Sequence, residues 1–268
     1  MRQLPSLARL LGSAAVTAML AAGLGGCQTI SDITGALTSK AETSPSPDAD
    51  PRRAVEVYGE RYRANPKDPD AALAYGQALR ATGQHGQAVA VLEQATIAHP
   101  GNKALLAGYG RALADNGNFQ QSFDVLTRAH SPDNPDWRIL SVQGTTLDQL
   151  GRHEDARRYY ASALKIVPDE PSVLSNLGLS YVLSKDLPKA EENLRRAYAS
   201  GRSDARVRQN LGLVVGLQGR FAEAESIVKA DLPPDEAASN VAYLKQMLSR
   251  KDNPRAGAMP VASLNRPD

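Results

Sequence analysis

The sequence contains few of the residues on which catalytic and disulfide-stabilised proteins depend. In 268 residues there is one cysteine, Cys27, and there are four histidines. A disulfide framework and a cysteine-based metal cluster are therefore excluded. Aromatic residues make up only 5% of the chain, whereas alanine, leucine and glutamine are frequent. Because these three residues lose little free energy on entering a helix, the composition favours an all-α fold.

The charge pattern and the motifs exclude further functions. The formal net charge is +2, and no run of lysine or arginine is present, so no nucleic-acid partner is expected. No HExxH, GxSxG or Walker A motif occurs. His85 and His153 stand at the start of two similar segments, and a packing role explains them most simply. We expect no enzymatic activity, no catalytic residue, no metal site and no cofactor.

The N-terminus has the pattern of an exported protein. Arg2 and Arg9 precede an apolar run of small residues that ends in LGGC, residues 24–27. This ending resembles the lipobox of bacterial lipoproteins, which implies a signal peptide over 1–26 and a diacylglycerol-modified, acylated Cys27 carrying palmitate-type chains. An ordinary secretory signal and a plain membrane anchor are the alternatives. The segment that follows, to residue 50, is rich in Ser, Thr, Pro and Asp, so 27–50 is predicted to be a lipidated cysteine and a disordered tether.

The rest of the chain repeats itself at a constant interval. Five glycines are each 34 residues apart, and small residues follow each of them at fixed distances. These glycines are Gly76, Gly110, Gly144, Gly178 and Gly212. This interval and pattern resemble the tetratricopeptide repeat. The resemblance implies an all-α superhelical solenoid of about five 34-residue helix–turn–helix repeats over 69–238. A leading half-repeat is predicted over 51–68, a capping helix over 239–250, and a disordered tail over 251–268.

In the tetratricopeptide repeat the repeated glycine is position 8, and the first helices line a concave groove, mainly through positions 2, 5, 6, 9, 12 and 13. At positions 9, 12 and 13 the first three repeats are mostly polar: Gln77, Arg80, Ala81; Arg111, Ala114, Asp115; Thr145, Asp148, Gln149. The same positions are apolar in the fourth and fifth repeats, and Asn176 and Asn210 occupy position 6 there. The predicted partner groove comprises Asn176, Leu179, Val182, Leu183, Arg206, Asn210, Leu213 and Leu217.

Two interpretations of this groove remain open. Leucines would provide affinity for an extended or helical segment of a protein partner, and asparagine amides would bond to its backbone. Alternatively, the C-terminal helix or a second copy of the chain covers the leucines, since an apolar patch of this size needs a cover.

The last third of the chain resembles a particular family more closely. The segments SKDLPKAEENLRRAYAS, DARVRQNLGLVVGLQGRFAEAESI and ADLPPDEAASNVAYLKQML resemble TadD-type lipoproteins of the tight-adherence (Flp pilus) secretion system. The resemblance implies a non-enzymatic, pilotin-like assembly factor that binds the secretin or another pilus-assembly component. Gln28 after the cysteine favours the outer membrane, with the protein lipid-anchored and facing the periplasm. The runner-up function is a tetratricopeptide-repeat lipoprotein scaffold for cell-envelope (peptidoglycan) enzymes.

Overall fold

The computed structural model describes residues 51–252, apart from 132 and 203. The predicted signal peptide, Cys27, the tether, and residues 253–268 of the predicted tail lie outside the described residues. Within the described range the chain forms twelve α-helices and no strand. They are α1 Pro51–Ala64, α2 Pro69–Ala81, α3 His85–Ala98, α4 Lys103–Asp115, α5 Phe119–Ala129, α6 Trp137–Gln149, α7 His153–Ile166, α8 Pro171–Leu183, α9 Leu187–Ala199, α10 Ala205–Leu217, α11 Phe221–Val228 and α12 Pro234–Asp252.

Helix starts reproduce the period of the sequence. The first helices of the five repeats begin at residues 69, 103, 137, 171 and 205, and the second helices begin at 85, 119, 153, 187 and 221. Both series advance by the same interval as the repeated glycines. Each repeat is therefore a pair of helices, and the predicted all-α tetratricopeptide-repeat fold is confirmed.

Close approach of the paired helices explains the repeated glycine at position 8. At each of the five glycines an added Cβ would lie only 2.5–2.8 Å from a side chain on the second helix of the same repeat. Real Cβ atoms do not tolerate such distances, so glycine lets a large residue of the second helix pack directly on the first. The side chains that fill these places are Leu92, Leu126, Tyr160, Leu194 and Val228.

A left-handed residue ends the first helix of every repeat. In four repeats this residue, at position 15, is a glycine with φ between 76° and 82°. In the fourth repeat it is Lys185, with φ 62°. The next N–H bonds the carbonyl five residues earlier, for example Arg152 to Leu147 at 2.9 Å and Asp186 to Tyr181 at 2.9 Å. This is the Schellman arrangement, which satisfies carbonyls at the end of a helix.

The chain divides into two compact units, one ending at Arg202 and one beginning at Ser203. In the first unit, α1 precedes four helix pairs, and Tyr62 of α1 stacks on Tyr75 of α2 with the ring centroids 5.6 Å apart. Its core is built from the alanines and leucines of the repeat positions, and Leu79, Leu92, Leu105 and Leu174 are fully buried. The second unit contains α10, α11 and α12, and α12 packs against both of the other helices.

The predicted capping helix is longer than expected. It was predicted over 239–250, but α12 runs from Pro234 to Asp252. Proline suits the first turn of a helix because its missing N–H would have no partner there, and Asp235 and Glu236 favour the positive end of the helix dipole. The helix therefore includes the end of the predicted fifth repeat and residues 251–252 of the predicted tail.

The fifth repeat departs from the other four at its second helix. The helix α11 ends at Val228 and spans only 8 residues. Asp231, which stands where the repeat requires a small residue, therefore lies beyond the helix and forms an ion pair with Arg208 of α10, with Nε 2.6 Å from Oδ2. The sequence indicates a degenerate repeat here, and the structure has an ion pair where the other repeats pack a small residue.

Candidate protein-binding site

Four of the predicted groove residues lie on α8. Val182 is buried with 8% exposure, and Asn176, Leu179 and Leu183 are half-buried. The side chain of Asn176 reaches back to the preceding repeat, since its Nδ2 donates a hydrogen bond to Ser141 Oγ of α6 at 3.2 Å. One amide N–H of Asn176 thus stabilises the array itself. The remaining amide capacity and the two half-buried leucines are what α8 offers to a partner.

The other four predicted residues lie on α10 in the second unit. Arg206, Asn210, Leu213 and Leu217 are all half-buried. Arg206 is paired with the helix N-cap, because its Nε and a terminal nitrogen donate to Asp204 Oδ2 at 3.1 and 2.9 Å. A partner carboxylate that used Arg206 would have to exchange with Asp204. That these eight residues of two units form one groove stays a prediction.

The C-terminal helix covers part of the first-helix face of repeat five. Gly216 occupies repeat position 12, one of the predicted groove positions, and an added Cβ there would lie 2.5 Å from Leu244 Cδ2 of α12. Leu244 therefore packs directly on the backbone of α10. Leu213 and Leu217 keep partial exposure beside it. Within this unit, α12 thus covers Gly216 at position 12, and the alternative that it covers the leucines stays a prediction.

One predicted groove residue of the polar repeats turns out to be a core residue. Asp148 was expected on the groove surface, but its side chain is only 6% exposed. It accepts hydrogen bonds from Tyr160 at 3.0 Å and from Ser180 at 2.8 Å, and His153 Nδ1 lies 2.9 Å from its Oδ1. The sequence alone does not predict this cluster. Its one sign in the sequence is that polar residues occupy repeat positions at which other repeats have apolar residues.

The Asp148 cluster ties three helices together. It joins α6, α7 and α8, and burial raises the pKa of Asp148, opposed by its hydrogen bonds to His153, Ser180 and Tyr160. Burial, together with the Asp148 carboxylate, also raises the pKa of Tyr160. Ser180 and His153 both bond to the carboxylate, whereas in a catalytic triad the histidine bonds to the serine. The cluster is a structural polar network, and His153 belongs to it.

Among residues 51–252, apart from the two gaps, no group of three or more His, Cys, Asp or Glu side chains is placed to hold a metal ion. In that range no helix combines the length and the apolar character needed to cross a membrane.

Family models match two parts of the chain. The model described as anaphase-promoting complex, cyclosome, subunit 3 matches residues 53–129, and a tetratricopeptide-repeat model matches residues 141–205. No match was found among curated proteins. The repeated helix pairs thus have the tetratricopeptide-repeat fold, and proteins of this class are generally non-enzymatic scaffolds for protein–protein interaction.

Solved structures with the same fold include a type IV pilus biogenesis factor. PilW, a widely conserved type IV pilus biogenesis factor, is 19% identical with a TM-score of 0.63, covering 72% of this chain and 91% of PilW. The pilF protein of Pseudomonas aeruginosa is 17% identical with a TM-score of 0.51, covering 74% of this chain and 85% of pilF. A chain of the APC/C hetero-tetramer Cut9-Hcn1 is 17% identical with a TM-score of 0.62. The alignment covers 77% of this chain but only 41% of that one. At these identities the likeness concerns the fold.

Proposed function

We propose that this protein is a membrane-anchored, periplasm-facing tetratricopeptide-repeat lipoprotein. It acts as a pilotin-like assembly factor and binds the secretin of the Tad (Flp pilus) system, or another component of pilus assembly. The observation that carries the proposal is the pair of half-buried leucine faces on the first helices of repeats four and five, α8 and α10. These faces stand in an array that is otherwise polar at the same repeat positions.

The membrane anchor in this proposal is Cys27. Its place after a signal-like segment and the Ser-, Thr- and Pro-rich sequence to residue 50 support a lipid anchor on a flexible tether. Each buried CH₂ of an acyl chain contributes about 0.8 kcal/mol, so more than one chain gives durable anchoring. Gln28 after the cysteine supports the outer membrane as the destination. The anchor would then carry the bound partner to the bilayer.

The pilus context has two supports. The segments from residue 184 onward resemble TadD-type lipoproteins, and one solved structure of the same fold, PilW, is described as a type IV pilus biogenesis factor. A tetratricopeptide array suits this role because first-helix faces bind extended or helical segments without a catalytic step. Leucine supplies contact area there, and the amides of Asn176 and Asn210 bond to a peptide backbone.

A pulldown with the full chain tests the proposed docking faces. We expect the Tad secretin to bind the unchanged chain, and a triple variant with Leu179, Leu183 and Leu213 replaced by Asp to lose it, because charge in the contact prevents apolar burial. Ile97→Asp is the control for added surface charge, since Ile97 is 76% exposed and lies on α3, the second helix of the first repeat.

Circular dichroism decides whether the triple variant still folds. Undiminished secretin binding by a folded triple variant would refute the leucine faces as the docking site. If the unchanged chain bound peptidoglycan synthases or hydrolases and no secretin, the runner-up scaffold function would replace the pilus proposal.

A further inference from the structure

Three consecutive first helices each contribute an arginine to one charged cluster. Arg80 lies at the end of α2, Arg111 in the middle of α4, and Arg138 at the start of α6. Helix α4 packs against α2 on one side and against α6 on the other. All three arginines keep part of their surface exposed. The cluster therefore lies within the first unit, on the polar first-helix face of repeats one to three.

Two carboxylates oppose these three guanidinium groups. Arg80 Nε donates to Asp115 Oδ2 at 2.6 Å, and the Asp115 side chain is only 3% exposed. Asp136 caps α6, where its Oδ1 accepts from the backbone N–H of Arg138 at 2.8 Å. Part of the Asp136 charge is thus used on the helix N-terminus. With three positive and two negative groups, the cluster carries an excess of one positive charge.

Arg111 has a buried hydrogen-bond donor that the protein leaves unsatisfied. Its Nε is buried and has no hydrogen-bond partner. Burial lowers the pKa of Arg111 to about 10, repulsion from Arg80 and Arg138 lowers it too, and Asp136 and Asp115 oppose the shift. A guanidinium that loses hydration without gaining an anion is costly in free energy, and a nearby carboxylate is the group that relieves this cost.

We propose that Arg80, Arg111 and Arg138 form a subsite for carboxylates of an acidic segment in a protein partner. The planar guanidinium fork matches the two oxygens of a carboxylate, which makes arginine clusters suited to acidic motifs. A protein segment fits better than a nucleic acid, because one side-chain carboxylate matches a single excess positive charge, whereas a continuous phosphate backbone requires several cations. The segment would lie along the first helices, with an Asp or Glu side chain beside Arg111.

This subsite is independent of the docking faces on α8 and α10. It uses other repeats and other chemistry, so it can hold if the secretin proposal fails. A Leu179→Asp variant separates the two proposals, because it should leave carboxylate binding unchanged.

The test is fluorescence anisotropy with the full chain in mild detergent at low salt. The probe is a fluorescein-labelled, C-terminally amidated peptide of four glutamates, with a four-glutamine peptide as the uncharged comparison. We expect Arg111→Gln to weaken binding of the glutamate peptide about tenfold, the size of one lost charge-assisted contact. Arg128→Gln is the matched control. It makes the same charge change in the same repeat at an exposed residue, and should change the affinity less than twofold.

A second variant guards against misfolding as the cause of the loss. Asp115→Asn removes a competing carboxylate, so it should strengthen binding of the glutamate peptide, a gain that unfolding does not produce. The proposal is overturned if the unchanged chain shows no preference for the glutamate over the glutamine peptide. It is equally overturned if Arg111→Gln and Arg128→Gln weaken binding alike, or if a ten-residue oligothymidine displaces the glutamate peptide at a lower concentration than unlabelled glutamate peptide does.

Discussion

At the scale of the residue, the turn that ends the first helix of each repeat has glycine at position 15 in every repeat except one. Position 15 is glycine in four repeats, with φ between 76° and 82°, and lysine in the fourth, where Lys185 has φ 62°. A side chain in this left-handed region costs roughly 1–2 kcal/mol, because Cβ crowds the following carbonyl oxygen. Lys185 is exposed and keeps the same hydrogen bonds as the glycines do, so the helix ending persists in spite of this cost.

We therefore expect Lys185→Gly to stabilise the protein. The gain should be about 0.5–1 kcal/mol, since relief of backbone strain exceeds the added freedom of the unfolded chain. Gly151→Ala, at the same position of the third repeat, should destabilise the protein by about 1 kcal/mol. Urea unfolding followed by circular dichroism measures both. A Lys185→Gly variant that is less stable than the original chain would contradict the strained turn.

The sequence predicts contacts within one repeat better than contacts that join residues of several helices or repeats. The glycine period predicts the helix pairs because Gly110 and its equivalents are required by direct contact between two helices of one repeat. It does not predict the burial of Asp148, because that depends on His153, Tyr160 and Ser180 meeting from three helices. It does not predict the excess charge around Arg111 either, since its neighbours come from three repeats.

At the scale of the element, the final helix packs on both helices of the fifth repeat and covers part of it. The helix α12 contacts α10 and α11, and Leu244 occupies the space left by Gly216. Periodicity predicts that this helix starts at residue 239, because a fifth repeat of full length extends to residue 238. The early end of α11 at Val228 leaves room for a helix that begins at Pro234. An apolar edge of the fifth repeat is thereby covered within its own unit.

A substitution in α12 measures what this cover contributes. Leu244→Ala should destabilise the second unit by about 1–2 kcal/mol, less than a fully buried leucine would, because Leu244 is half-buried. Amide hydrogen exchange in α10 and α12 should show the loss directly. Tyr243→Ala is the control, since Tyr243 is 46% exposed on the same helix. Equal effects of the two substitutions would contradict a stabilising role for the Leu244–Gly216 contact.

At the scale of the whole molecule, we propose a binding protein that a lipid anchor holds at a membrane. Repeats of one design present first-helix faces of differing chemistry, with an arginine cluster in repeats one to three and half-buried leucines on α8 and α10. A pilus-assembly partner would be recognised by the leucines, and acidic segments by the arginines. Under this proposal, lipid on Cys27 would supply the location and the repeats would supply the specificity.

The most direct test of this account is photo-crosslinking in cells that produce the chain together with the Tad secretin. A photoreactive amino acid replaces Asn210 on α10, and the same amino acid at the exposed Ile97 on α3 is the control. The account predicts a light-dependent adduct with the secretin subunit from position 210 and none from position 97. Adducts at 210 with a second copy of the chain alone, or with a peptidoglycan enzyme in place of the secretin, would contradict it.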